Sequence, residues 1–103
     1  MTDLATGGSS TPRASVLDPE RPHRLSPRVG LRPESFGAMA YHFDNRRLVF
    51  LKTPELLALV ESLEDHESIS AAITAQVGAD ARRTRSYLRA LESLAEAEVI
   101  CER

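Results

Sequence analysis

The chain lacks most of the features that announce a chemistry. Of its 103 residues one is cysteine, Cys101, so no internal disulfide can form and a reducing compartment suits it. No apolar run approaches the roughly 20 residues of a membrane-spanning helix. The opening stretch Met-Thr-Asp-Leu-Ala-Thr-Gly-Gly-Ser-Ser-Thr-Pro has neither a basic start nor an apolar segment, so no secretory signal is expected. These absences lead us to expect a cytoplasmic protein with no membrane partner. Charge of one sign is also missing: the net value is −2, too small for the whole molecule to attract nucleic acid or anionic lipid. Lysine is nearly absent, with Lys52 alone beside twelve arginines.

The signs of catalysis are missing as well. His23, His42 and His66 share no metal-ligand spacing with one another, with Cys101 or with a carboxylate cluster. Cys101 has no obvious activating neighbour on its own segment, which contains Glu98 and Glu102. There is no glycine-rich phosphate loop and no nucleophile elbow. The expectation is a protein that is not an enzyme and carries no cofactor.

What is present is one small domain. With 42% hydrophobic and 27% charged residues the composition is that of an ordinary globular chain. A chain of this length buries about two-thirds of its unfolded surface, enough for one modest core. Residues 1–22 are rich in Gly, Ser, Thr and Pro and hold few large apolar groups, which predicts a disordered tail. Residues 23–103 form the domain.

Within it, Val29-Gly30-Leu31-Arg32 alternates and runs into Pro33, giving a first strand. Pro33-Glu34-Ser35 turns the chain, and Phe36 to Phe43 forms a second strand, with Gly37 marking a bulge or a close approach. Asp44-Asn45 tolerates the positive φ of a tight hairpin and leads into a third strand, Leu48-Val49-Phe50-Leu51. A two-residue connection sets Tyr41 opposite Leu48 and Met39 opposite Phe50; a four-residue one sets Phe43 opposite Leu48. Either way Met39, Tyr41, Phe43, Leu48 and Phe50 share a face, which we expect to be the core face, leaving Val49 and Leu51 on the other.

Three helices follow. Thr53 is the expected N-cap of the first, with Pro54 at its first position and Leu56, Leu57, Leu59, Val60 and Leu63 as its apolar stripe. Ser68 caps a second helix, which buries Ile69, Ala72, Ile73 and Val77 and stops at Gly78. Asp80 caps a third that runs to about Ala97, with Tyr87, Leu88, Leu91, Leu94 and Ala95 inward. Val99-Ile100-Cys101 packs back as a closing segment. The fold class is α+β, a three-stranded antiparallel sheet followed by three helices, with a winged-helix-like outline.

Two features point to binding. Arg82, Arg85 and Arg89 recur at helical spacing and line one stripe, with Arg83 to the side. Either they form a solvated polar face or they make a basic wall for an acidic ligand. The third strand has no polar position, although it should lie at a sheet edge, where proteins normally blunt exposed apolar surface. Either the protein's own elements cover it or an extended peptide adds to it as a further strand.

The stretch Leu31-Arg-Pro-Glu-Ser-Phe-Gly-Ala-Met-Ala-Tyr-His-Phe43, followed by Arg47-Leu-Val-Phe-Leu-Lys52, resembles the mycofactocin precursor-peptide chaperones. These are small members of the PqqD-like peptide-recognition domains that serve ribosomally made, modified peptides. The likeness spans residues 23 to 100. It implies a non-catalytic protein that binds the acidic leader of a precursor peptide and presents it to a radical S-adenosylmethionine maturase, which supplies the iron–sulfur chemistry. It also implies a peptide cleft between the third strand and the third helix. In this chain that cleft would be formed by Leu48, Val49, Phe50 and Leu51 opposite Arg82, Arg85, Leu88 and Arg89. The competing reading is a winged-helix DNA binder whose recognition helix carries the arginines, which the net acidic charge disfavours.

Overall fold

A computed structural model describes residues 17–103. The element order is β1 (His23–Leu25), β2 (Val29–Glu34), β3 (Gly37–His42), β4 (Leu48–Leu51), α1 (Pro54–Ser62), a 3-10 turn (Leu63–Asp65), α2 (Ile69–Val77), α3 (Ala81–Glu96) and β5 (Ile100–Glu102). Strands β2, β3 and β4 form an antiparallel sheet in that order, so β4 is an edge. Met39 pairs with Phe50 and Tyr41 with Leu48, the register expected of the shorter hairpin connection. The turn itself differs from expectation: the N–H of Arg46 donates to the His42 carbonyl at 2.9 Å, and Arg46, rather than Asp44 or Asn45, takes the positive φ of 66°. Because the His42 N–H also donates to the Arg47 carbonyl, the loop is the four residues 43–46, and the last of them is the left-handed one.

Local chemistry sets the helix ends. The side chains of Thr53, Ser68 and Asp80 accept the N–H groups of Leu56, Ala71 and Arg83, and Pro54 opens α1. Gly78 closes α2 in the left-handed region, at φ 70°. Helix α3 ends in a double turn in which the Val99 N–H donates to the Leu94 carbonyl and the Glu98 N–H to the Ala95 carbonyl. Glu98 sits there at φ 64°, where glycine is the usual occupant.

That reversal returns the chain as β5, which pairs antiparallel with β1 and sets His23 opposite Glu102 and Leu25 opposite Ile100. Order therefore extends beyond the three expected strands at both ends. Of the tail expected through residue 22, the first 16 residues lie outside the described ones. Residues 17–22 are packed: Leu17 is buried, the Ser70 N–H donates to the Pro19 carbonyl at 2.9 Å, and the Arg103 N–H donates to that of Pro22 at 3.0 Å. One apolar anchor and two main-chain hydrogen bonds hold this segment.

The expected core face of the sheet is reversed. Tyr41, Phe43, Leu48 and Phe50 are exposed and Met39 is half-buried, while Ala38, Ala40, His42 and Leu51 are buried and Val49 half-buried. The alanines present almost no side chain to the helices, so Leu51, Leu59, Val60, Leu63, Ile69, Ile73, Leu91 and Leu94 fill one continuous core beneath them. Gly37 is a close approach, as expected: a Cβ there would press on the Leu51 carbonyl oxygen and lie 2.9 Å from that of Thr53.

Candidate peptide cleft

A cleft of about 640 Å³ opens between the free edge of β4 and helix α3. Leu48, Val49 and Phe50 form its strand wall, continued by Lys52, Thr53 and Leu56 where β4 passes into α1. The helix wall is Ser86, Tyr87, Ala90, Ser93 and Leu94. Ser86, Ala90 and Ser93 recur at helical spacing and are small, so they leave a groove; Tyr87 and Leu94 border it with apolar surface. The cleft is mainly apolar, with Lys52 and the hydroxyl-bearing Thr53, Ser86 and Ser93 among its lining residues.

Three of the sequence-expected residues, Leu48, Val49 and Phe50, meet in this cleft. Leu51 does not reach it, because its side chain is fully buried in the core. Leu88 is half-buried against that same core. Arg82, Arg85 and Arg89 are exposed on α3 and do not line the cleft. Helical spacing instead sets Arg83 one turn before Ser86 and Tyr87, on the stripe that faces β4. The small-residue stripe was in the sequence, and an apolar edge strand opposite it was the signal for a groove. Among the described residues no carboxylate forms an ion pair with Arg82, Arg83, Arg85, Arg89 or Lys52.

The far end of the cleft is tied down by the β3–β4 turn. The Asn45 side-chain amide donates to the Ala97 carbonyl at 3.4 Å and Arg47 to that of Glu96 at 3.3 Å, linking the turn to the C-terminal end of α3. His42 organises the turn from inside: its Nδ1 accepts the N–H groups of Asp44 at 3.1 Å and Asn45 at 3.2 Å. Its proton therefore resides on Nε2, which lies 3.9 Å from a Glu98 carboxylate oxygen. Outside, Arg28 donates to both oxygens of Asp44, at 2.8 and 2.6 Å. This hydrogen-bonded pair holds the Asp44 carboxyl below its usual range and raises Arg28.

The histidines are less scattered than the sequence suggested. His23 and His42, both buried, line one cavity of about 380 Å³ together with Glu98 and Cys101. His23 contacts the Arg21 carbonyl through Nδ1 at 2.9 Å. Among the described residues no group of three or more ligand-type side chains is arranged to hold a metal. No helix among them is long and apolar enough to cross a membrane.

Comparison with known proteins identifies the family. The model of the peptide chaperone MftB family matches residues 22–101. A protein named peptide chaperone MftB from Mycobacterium ulcerans is 44% identical over 87 residues, covering 84% of this chain and 79% of the relative. Its namesake from Mycobacterium tuberculosis is 42% identical over 90 residues, covering 87% and 82%. One from Mycolicibacterium smegmatis is 40% identical over 85 residues, 82% of each. No solved structure matches the chain. With the family model spanning most of the domain and three relatives agreeing, the chain belongs to the peptide chaperone MftB family.

Proposed function

We propose that this protein is a non-catalytic, cytoplasmic chaperone of the PqqD-like, winged-helix-like kind. It binds the leader of the mycofactocin precursor peptide and presents it to a radical S-adenosylmethionine maturase during biosynthesis of the redox cofactor mycofactocin. The observation that carries this reading is an apolar cleft of about 640 Å³ lying along a strand edge that no other strand among the described residues pairs with. An extended peptide added to β4 gains main-chain hydrogen bonds from the edge and side-chain recognition from the cleft. Residues 23–103 are the recognition domain.

Leu48, Val49 and Phe50 take part through side chain and backbone, and Leu51 through its backbone alone. On the helix side Arg82, Arg85 and Arg89, with Leu88 packed behind them, supply positive field rather than contact, and Arg83 stands closest to the cleft. An acidic leader suits this field, which acts over about a Debye length of 8–10 Å and weakens with salt.

Calorimetric titration with the precursor peptide tests the reading. Ala90→Phe fills the groove between Ser86 and Ser93 and should weaken binding by about tenfold or more, a loss of roughly 1.4 kcal/mol, with the fold intact by circular dichroism. Arg83→Glu should weaken it at low salt and much less at high salt. Parental affinity in Ala90→Phe would remove the cleft from the binding site. Because Arg82, Arg85 and Arg89 are exposed and unpaired among the described residues, duplex DNA is the second ligand to titrate.

A further inference from the structure

Among the described residues nothing covers one face of the β2-β3-β4 sheet. Phe36, Tyr41, Phe43, Leu48 and Phe50 are each 39–54% exposed. They are not loose: Phe36 meets Phe50 and Tyr41 meets Phe43 edge to face, with ring centres 5.8 and 5.9 Å apart. Gly30 makes room for the Phe43 ring, which a Cβ at that position would meet at 3.1 Å. At roughly 150–250 Å² per aromatic side chain these exposures leave on the order of 450 Å² of apolar surface. A patch of that size is among the largest a monomer normally shows, and such patches are often functional. It is also only about half of the ~800 Å² per partner that a standard interface buries. Alone, it is too small for a stable dimer of this chain.

The patch runs to the open edge of β4, where Leu48 and Phe50 belong both to it and to the cleft. A peptide strand added at that edge would continue the sheet at about 4.8 Å spacing, with side chains alternating between the two faces. One set enters the cleft beside Val49. The other lies next to Leu48 and Phe50 and enlarges the uncovered face. The surface approaches the area of a standard interface only while peptide is held.

We infer that this aromatic face, completed by the outward side chains of the bound peptide, is the docking surface for the enzyme that modifies the peptide. The inference rests on the peptide-cleft reading above. One apolar contact then reads chaperone and substrate together, so the enzyme prefers the loaded chaperone to the empty one. By linkage the enzyme tightens peptide binding by the same factor.

Tyr41 and Phe43 lie outside the cleft, so the double variant Tyr41→Ser/Phe43→Ser separates the two surfaces. Mycofactocin precursor peptide should bind it as it binds the parent. The radical S-adenosylmethionine maturase should bind the parent about tenfold more tightly when peptide is saturating, and the variant should lose that gain. Phe36→Ser, at the rim of the patch, gives an independent variant should the double one misfold. Unchanged maturase affinity in both variants overturns the inference, as does a parent whose maturase affinity ignores peptide. A parent that sediments as a dimer and a variant that sediments as a monomer would assign the face to a second copy instead. Failure of the parent to bind peptide at all would sink the cleft reading; intact peptide binding with a face-independent maturase contact sinks this inference alone.

Discussion

Along β3 the residues turned toward the helices are Ala38, Ala40 and His42, and those turned outward are Met39 and Tyr41. On β4 the inward residues are Val49 and Leu51, and the outward ones Leu48 and Phe50. The larger aromatic groups thus lie on the solvent side of the sheet, and the smallest side chains on the core side. The inward face is small because helices sit close against it, and close packing rewards shape as much as hydrophobicity. The outward face keeps surface that folding does not use. At about 25 cal/mol per Å², leaving roughly 450 Å² in water forgoes on the order of 10 kcal/mol of transfer free energy, which remains available to an intermolecular contact.

The sharpest way to break this comparison is to truncate one residue on each face. Leu51 is fully buried, so Leu51→Ala leaves a cavity in a core with little freedom to collapse. A loss of about 3 kcal/mol is expected, within the 2–5 kcal/mol range for such changes, read as a lower urea midpoint with unchanged slope. A loss below about 1 kcal/mol would mean the inward face is not the packed one.

Phe43→Ala is the outward counterpart. Phe43 is 54% exposed, meets the Tyr41 ring edge to face and lies over Gly30. The edge-to-face pair is worth about 0.5–1.5 kcal/mol beyond the area it buries, and with about half of Phe43 already in water the same urea titration should show a smaller loss than Leu51→Ala. Equal losses in the two variants would erase the distinction between the faces.

The reason the sequence misleads on this point is physical. Strand alternation divides residues into two sets, and that much was legible: any even loop length places Met39, Tyr41, Phe43, Leu48 and Phe50 on one face, while the pairing of Met39 with Phe50 and Tyr41 with Leu48 was one of two registers left open. Which set is buried depends on the helices, and no pattern within the strands encodes it. The helix caps at Thr53, Ser68, Asp80 and Gly78 were legible because each is a local hydrogen bond or a local backbone preference. Strands β1 and β5 were missed because three residues carry no periodicity, and because the reversal before β5 uses Glu98 in a left-handed conformation where a glycine would have marked it. In the cleft, Leu48, Val49 and Phe50 line the strand side where they were expected. The helix wall was placed on the arginine stripe, yet long charged side chains favour solvent, and the face against β4 fell to Ser86, Ala90 and Ser93, whose small size makes the groove.

The smallest effect concerns the rim of the outward face, where Arg28 grips Asp44. The hydrogen bonds from Arg28 are the main cause of the lowered Asp44 pKa, and the guanidinium charge adds to it. In the unfolded chain Asp44 returns to its ordinary value of 3.8. A carboxyl whose folded pKa is depressed contributes stability that is present above the unfolded value and lost as pH falls through the folded one. Arg28 stays charged throughout, so Asp44 alone sets the window. Asp44→Asn should therefore unfold slightly earlier in urea than the parent at neutral pH, and the two curves should converge once the medium is acidic enough to protonate the native carboxyl. The pair is solvent-exposed, so moderate salt should close most of the gap as well. The deficit of Leu51→Ala, which is one of packing, should respond to neither pH nor salt. An Asp44→Asn deficit that persisted through acid and salt would show that it does not come from the ion pair, whereas no deficit at neutral pH would leave the His42 hydrogen bonds to the Asp44 and Asn45 N–H groups as what holds the turn.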